Sequence, residues 1–215
     1  TATTEIYTSL FVGSVKMCIR DSYLAAQLEL EKAMESLIRQ LEEAGIADNT
    51  VIVISPDHYP YGLERSSTWK NTENYLNELY GVTEVDRFTR DSNALIIWSG
   101  CLEDKNLKVE TPVYSLDILP TLSNLFGLNY DSRLLVGRDV FSDTEPLVLW
   151  PEYSWKTDKG TYDSGSRTFT PAEGVEVDDS YVDRIKAIVS NKISYSREVQ
   201  NLKYFQVLSD FLNGK

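Results

Sequence analysis

The run Val51-Ile52-Val53-Ile54-Ser55 constrains the fold more than any other stretch of the chain. Its first four residues are β-branched and apolar without alternation, so both faces of a strand built from them ask to be covered. That is the pattern of a central strand in an α/β sheet. Pro56 ends it, because a proline has no N–H to give to a ladder. Ahead of it, Leu24, Leu28, Ala33, Met34, Leu37, Ile38 and Leu41 recur at helical spacing with Glu, Lys and Arg between them. Ser22 is the expected N-cap and Gly45 the expected C-terminal glycine. This predicts an amphipathic helix covering a sheet, joined to the strand by the turn Asp48-Asn49-Thr50.

The rest of the chain alternates in the same way. Asn74 to Tyr80 reads as a short helix stopped by Gly81, Ala94 to Trp98 as a second buried strand, and Val109 to Tyr114 as a third, weaker one. Ser115 is expected to cap a helix running to Phe126, with Pro120 in its early turns and Gly127 at its end. Leu147 to Trp150 reads as a strand entered through Pro146. Trp155 to Tyr162 reads as a hairpin turning at Asp158-Lys159-Gly160, and Thr168 to Thr170 as a strand ended by Pro171. A long helix is expected from Asp179, its stripe of Tyr181, Val182, Ile185, Ile188 and Val189 continuing through Val199, Leu202, Phe205, Leu208 and Phe211. The fold class is α/β, with residues 22–215 as one domain and 145–215 as its hairpin and helical appendage. Residues 1–21 have no clear period, and Met17-Cys18-Ile19-Arg20-Asp21-Ser22 resembles a translated sequencing adapter, so that segment is expected to be non-native or disordered.

Charge narrows the partners. A net charge of -12 disfavours nucleic acid, whose phosphates select clustered Lys and Arg, and anionic membrane surfaces repel such a chain. No run of about eighteen apolar residues occurs, so a membrane anchor is expected only in helices outside this chain. Two cysteines, Cys18 and Cys101, make no disulfide framework, and Cys101 is expected to be a packed or free thiol.

His58 is the only histidine, and it stands beside Asp57 directly after the first strand. Ligands of open α/β sheets bind beyond the carboxyl ends of strands. Imidazole nitrogen and carboxylate oxygen together suit manganese, zinc or iron better than calcium. The plain alternative is a surface aspartate next to a histidine bonded to a nearby carbonyl.

The stretch from Asp48 to Gly62 resembles the "DNTvvv…DH" segment of the alkaline phosphatase/sulfatase superfamily, more narrowly its lipoteichoic acid synthase-like branch of phosphoglycerol transferases and sulfatase-type proteins. Ser115 to Leu122 resembles that branch's "DilPTl" helix start, Gly137 to Ser142 its "GrDlfs" turn, and Ser154 to Gly160 its "sWiTDKG" hairpin. Pro56 departs from the pattern, which often has Gly or a small residue there. The resemblance implies the C-terminal part of an alkaline phosphatase-like sheet flanked by helices. It implies that Asp57 and His58 are two of four ligands to a divalent metal, manganese in the first place with zinc or magnesium as alternatives. It places the other ligands, including the nucleophilic Thr, upstream of Tyr23, so no catalytic residue is expected in this chain. The implied substrate is a phosphoglycerol lipid headgroup or a sulfate or phosphate ester, handled at the outer face of a bacterial membrane or outside the cell. Arg65, Trp69 and Lys70 follow the pair and are expected either to line an anionic substrate pocket or to belong to a solvated loop. The chain alone is expected to be inactive, and a metal-free binding domain is the competing reading.

Overall fold

The computed structural model describes residues 19–60, 63, 75–102 and 107–214. The chain forms two compact units, 1–106 and 107–215. The class is α/β, as the alternation of periods predicts.

In the first unit, α1 (Ile19–Glu43) starts three residues before Ser22, which is therefore inside the helix and not its cap. Its end follows the glycine rule, in which a left-handed residue closes the last turn. Gly45 takes φ 68°, its N–H bonds to Glu42 O at 2.9 Å, and Ile46 N–H bonds to Leu41 O at 3.0 Å. Two strands, β1 (Ile52–Ile54) and β2 (Ile96–Trp98), pair antiparallel, with Val53 opposite Ile97. The strand expected at the centre of a sheet thus has one neighbour among the described residues, and it is half-buried along its length. A run of β-branched residues creates a demand for cover; it does not set the number of neighbours. The first helix shows the same shortfall, with Leu24, Leu28, Leu30 and Leu37 exposed where a covering helix would bury them. Next in the chain, α2 (Tyr75–Tyr80) ends at Gly81. A single turn, α3 (Arg87–Arg90), is capped by Asp86, the kind of side chain that serves free amides at a helix start. The Asp86 carboxylate accepts from Thr89 N–H at 2.7 Å. Leu63, Tyr75 and Leu76 form this unit's buried cluster, joined by Tyr23, Tyr80 and Val85.

In the second unit, a 3-10 turn (Ser115–Asp117) leads into α4 (Ile118–Leu125). The cap position of the 3-10 turn is Tyr114 and that of α4 is Asp117, so Ser115 caps neither. No strand forms over Val109 to Tyr114. A four-stranded antiparallel sheet follows in sequence order: β3 (Val148–Leu149), β4 (Trp155–Thr157), β5 (Gly160–Asp163) and β6 (Thr168–Pro171). The expected hairpin is present, with Thr157 opposite Gly160 across Asp158-Lys159. Gly160 sits at φ 149°, and a Cβ there would lie 2.4 Å from Thr170 O. No larger residue fits where the backbones approach so closely. The helix α5 (Tyr181–Asn201) lays Tyr181, Ile185 and Val189 on this sheet. The core stacks Trp155 on Tyr162 with ring centres 5.5 Å apart, and Tyr181 meets Trp155 edge-on at 6.2 Å. Both are arrangements that aromatic quadrupoles favour. The long helix does not run through. Lys203 turns left-handed at φ 50° and α6 (Tyr204–Leu212) begins anew, leaving Leu202, Phe205 and Phe211 exposed.

Candidate metal centre

The first strand delivers its chain end at Ser55 and Pro56, and the backbone leaves extended geometry over Asp57 to Tyr59. Neighbours on a regular strand point to opposite faces. The bend removes that obstacle, and His58 Nε2 comes to 3.5 Å from Asp57 Oδ1. The other ring nitrogen, Nδ1, donates to the Tyr59 carbonyl at 2.6 Å. A neutral ring held this way carries its lone pair on Nε2, on the side of the Asp57 carboxylate. A backbone carbonyl orienting a histidine is how ligating imidazoles are commonly fixed. The Asp57 side chain is 90% exposed and that of His58 42%. The Tyr59 ring carries the Arg90 guanidinium 4.3 Å from its centre, and Arg90 Nε also donates to Asp91 Oδ1 at 2.9 Å. A cation over an aromatic face is attracted by the ring's quadrupole. Sequence reasoning did not single out Tyr59 or Arg90. Adjacency to His58 was the one available signal for Tyr59, and Arg90 reaches it only through the fold.

Two donors of suitable chemistry, one nitrogen and one oxygen, fit half of a divalent site. Among the described residues no group of three His, Cys, Asp or Glu converges on one point. Arg65, Trp69 and Lys70 lie outside the described residues. The Tyr59 bond also satisfies the plainer reading of a surface histidine tied to a carbonyl.

Two of the other motifs do structural work together in the second unit. Asp117 is buried and accepts from Tyr114 N–H at 3.2 Å and, 21 residues away, from Arg138 N–H at 2.8 Å. Thr121 Oγ1 accepts from Val140 N–H at 3.1 Å, and Asp139 accepts from Asn124 Nδ2 at 2.6 Å. At Gly137 a Cβ would stand 2.0 Å from Leu116 O. Only glycine lets the loop approach that closely. The segments 115–122 and 137–142 therefore clasp each other. Burial pushes the Asp117 carboxyl up, against the lowering effect of those two amides and of Arg138 and Lys192. Burial likewise pushes Lys192 down, its Nζ donating to Val136 O at 2.6 Å. Cys101 is exposed, with Ser99 Oγ 3.4 Å from its sulfur.

An α/β chain with an Asp-His pair at a strand's carboxyl end matches the Sulfatase family model over residues 7–128, more than half of its length; it belongs to the sulfatase family. It is similar to lipoteichoic acid synthase 1 of Bacillus subtilis (strain 168), 26% identical over 195 residues that cover 89% of this chain and 29% of the relative. Lipoteichoic acid synthase of Staphylococcus aureus (strain USA300) is 28% identical over 135 residues, 60% of this chain and 19% of the relative. The chain thus spans less than a third of the length of these curated relatives.

Proposed function

We propose that this chain is the C-terminal portion of a metal-dependent phosphoglycerol transferase or of a sulfuric or phosphoric ester hydrolase of the cell envelope. In this reading Asp57 and His58 hold a divalent ion, manganese in the first place. The observation that carries it is the orientation of the pair: Nδ1 is committed to Tyr59 O, and Nε2 faces the Asp57 carboxylate at 3.5 Å. When bound, the ion would supply Lewis-acid stabilisation of charge on the transferred phosphoryl or sulfuryl group. The chain's own part is to fix the imidazole tautomer and to present carboxylate and imidazole on one side of the bend. Asp57 and His58 hold; neither attacks. The attacking Thr and the remaining ligands belong, in this reading, to a preceding segment of a longer protein. Support for a longer protein comes from the share of the relatives covered, and from apolar side chains left open on α1, β2 and α4, among them Leu24, Leu28, Ile96, Leu119 and Leu125. The substrate would be a phosphoglycerol headgroup or a small sulfate or phosphate ester at the outer face of a bacterial membrane or beyond it. In this reading the domain runs over 22–215, and the family match reaches ahead of it to residue 7, which speaks against wholly non-native sequence over 1–21.

The second reading, an isolated chain that turns nothing over, is favoured by the two-donor count among the described residues. One titration separates the metal assignment from the plain surface pair. Manganese added to the 215-residue chain should raise the melting temperature by a few degrees, and His58→Ala should remove that rise. An equal rise in both proteins sinks the assignment. Turnover of a phosphate or sulfate ester by this chain alone would refute the view that its nucleophile lies elsewhere.

A further inference from the structure

The second unit carries a cleft of about 620 Å³ between the 108–111 segment, the loop 138–146 and the β4–β5 turn. Its three cations are not equivalent. Lys108 pairs with Glu110 at 2.8 Å, and Lys159 pairs with Glu145 at 3.4 Å. Arg138 has no carboxylate within ion-pair distance among the described residues, and its Nε is buried without an acceptor. Its Nη1 reaches the Asp139 carbonyl and its Nη2 the Thr111 hydroxyl, each at 3.4 Å. Both lie at the far limit of a hydrogen bond. The buried Asp117 carboxylate feels the Arg138 charge, but its oxygens are taken by the amides of Arg138 and Tyr114. The backbone of Arg138 therefore fixes the turn, and the side chain is not needed for it. The buried Nε is not reachable from the cleft, but Nη1 and Nη2 each keep an N–H that neither long bond uses, and those are the donors a ligand could take.

The remaining lining narrows what that is. A guanidinium fork matches a tetrahedral or planar oxyanion through paired N–H donors. Thr111, Ser142 and Thr144 line the same cleft, the Ser142 hydroxyl donating to Asp139 O at 2.7 Å and lying 3.1 Å from Thr144 Oγ1, and Asp143 and Asp158 stand exposed on it. Carboxylates accept from ligand hydroxyls and repel a second anionic group. With Glu110 and Glu145 the lining carries four carboxylates to three cations, so a single oxyanion is admitted only against Arg138, and a polyanion is not. We propose that this cleft is an anion subsite, anchored by Arg138, for a small hydroxylated monoester of phosphate or sulfate. The oxyanion and the hydroxyls follow from the cleft; preferring an ester to a carboxylate rests on the functional reading above.

The test is calorimetric titration of the 215-residue chain with glycerol 3-phosphate. Saturable binding is expected, weakened at least tenfold in Arg138→Gln and unchanged in Arg133→Gln, an exposed arginine paired to Asp131. Arg138→Lys keeps the charge and loses the fork, and it should also weaken binding; it replaces Arg138→Gln if that variant does not fold. Inorganic phosphate should bind more weakly than the ester, and glycerol should not saturate. No saturable binding by the parent chain, or equal binding by the Arg138 variant, overturns the subsite. Phosphate binding as tightly as the ester overturns the hydroxyl part. His58→Ala should leave this binding intact, which keeps the outcome separate from the manganese test; loss of binding in that variant puts the ligand at the other centre and overturns the proposal.

Discussion

Asp117 shows how much a single carboxylate can hold. Its two oxygens accept from two backbone amides, 3 and 21 residues away in sequence, so each oxygen lost leaves one amide without its partner. Asp117→Asn keeps the shape but turns one acceptor into an NH₂ group aimed at a backbone N–H. Leaving a buried donor unpaired costs about 1–3 kcal/mol. Denaturant unfolding should show that loss, with the slope of the transition unchanged; a variant as stable as the parent would mean that the clasp between 115–122 and 137–142 stands on Thr121 and Asn124 alone. The motif Ser115 to Leu122 was visible in the sequence, and so was Gly137 to Ser142. That the two face each other was not, because periodicity describes one element at a time. His58 was legible for the opposite reason: it is unique, it follows a strand, and the group that orients it is its own neighbour.

At the scale of elements, the readings that held are those fixed by local chemistry. Gly45 and Gly81 end their helices in left-handed conformations, and the Asp158-Lys159 turn makes its hairpin. The readings that failed needed information from elsewhere in the molecule. Val109 to Tyr114 has strand-like residues but no ladder to join. The stripe through Leu202, Phe205 and Phe211 keeps helical spacing, yet Lys203 breaks the helix and those side chains stay exposed. Glu145 ties two elements together where no pattern predicts it, pairing with Lys159 of the β4–β5 turn at 3.4 Å and with Arg184 of α5 at 3.2 Å. Burial works to raise its carboxyl, and the Arg184 and Lys159 interactions outweigh that and hold it below the ordinary range. A carboxyl lowered in the folded state stabilises above its unfolded pKa, about 4.3, and loses that contribution as pH falls through the folded value. Glu145→Gln should therefore melt below the parent near neutral pH, by about 0.2–1 kcal/mol for each half-exposed pair. The two proteins should converge at a pH of about 3, below the unfolded carboxyl's range. A gap that persists into acid would assign the effect to packing.

Among the described residues the cores of the two units are unequal, and that sets where stability and metal response should appear. Among the described residues the second unit buries Trp155, Tyr181, Ile185 and Val189 almost completely in one contiguous cluster, whereas the first buries Leu63, Tyr75 and Leu76 and leaves Leu24, Leu28, Leu30 and Leu37 of α1 open. Regions with few buried apolar contacts open at lower free energy, so amide exchange should be slowest in β4, β5 and α5 and faster in β1 and β2. Trp155→Ala removes the centre of the larger cluster. Such a truncation costs about 3–5 kcal/mol, and protection should fall across β4, β5 and α5 with that of β1 unchanged. Manganese acts on the other unit. An ion that binds only the folded pair stabilises by mass action, so it should slow exchange around residues 52–60 and leave α5 as it was. If manganese instead slows exchange in α5 and leaves 52–60 untouched, the ion is held by carboxylates of the second unit, and the Asp57-His58 pair is a surface feature.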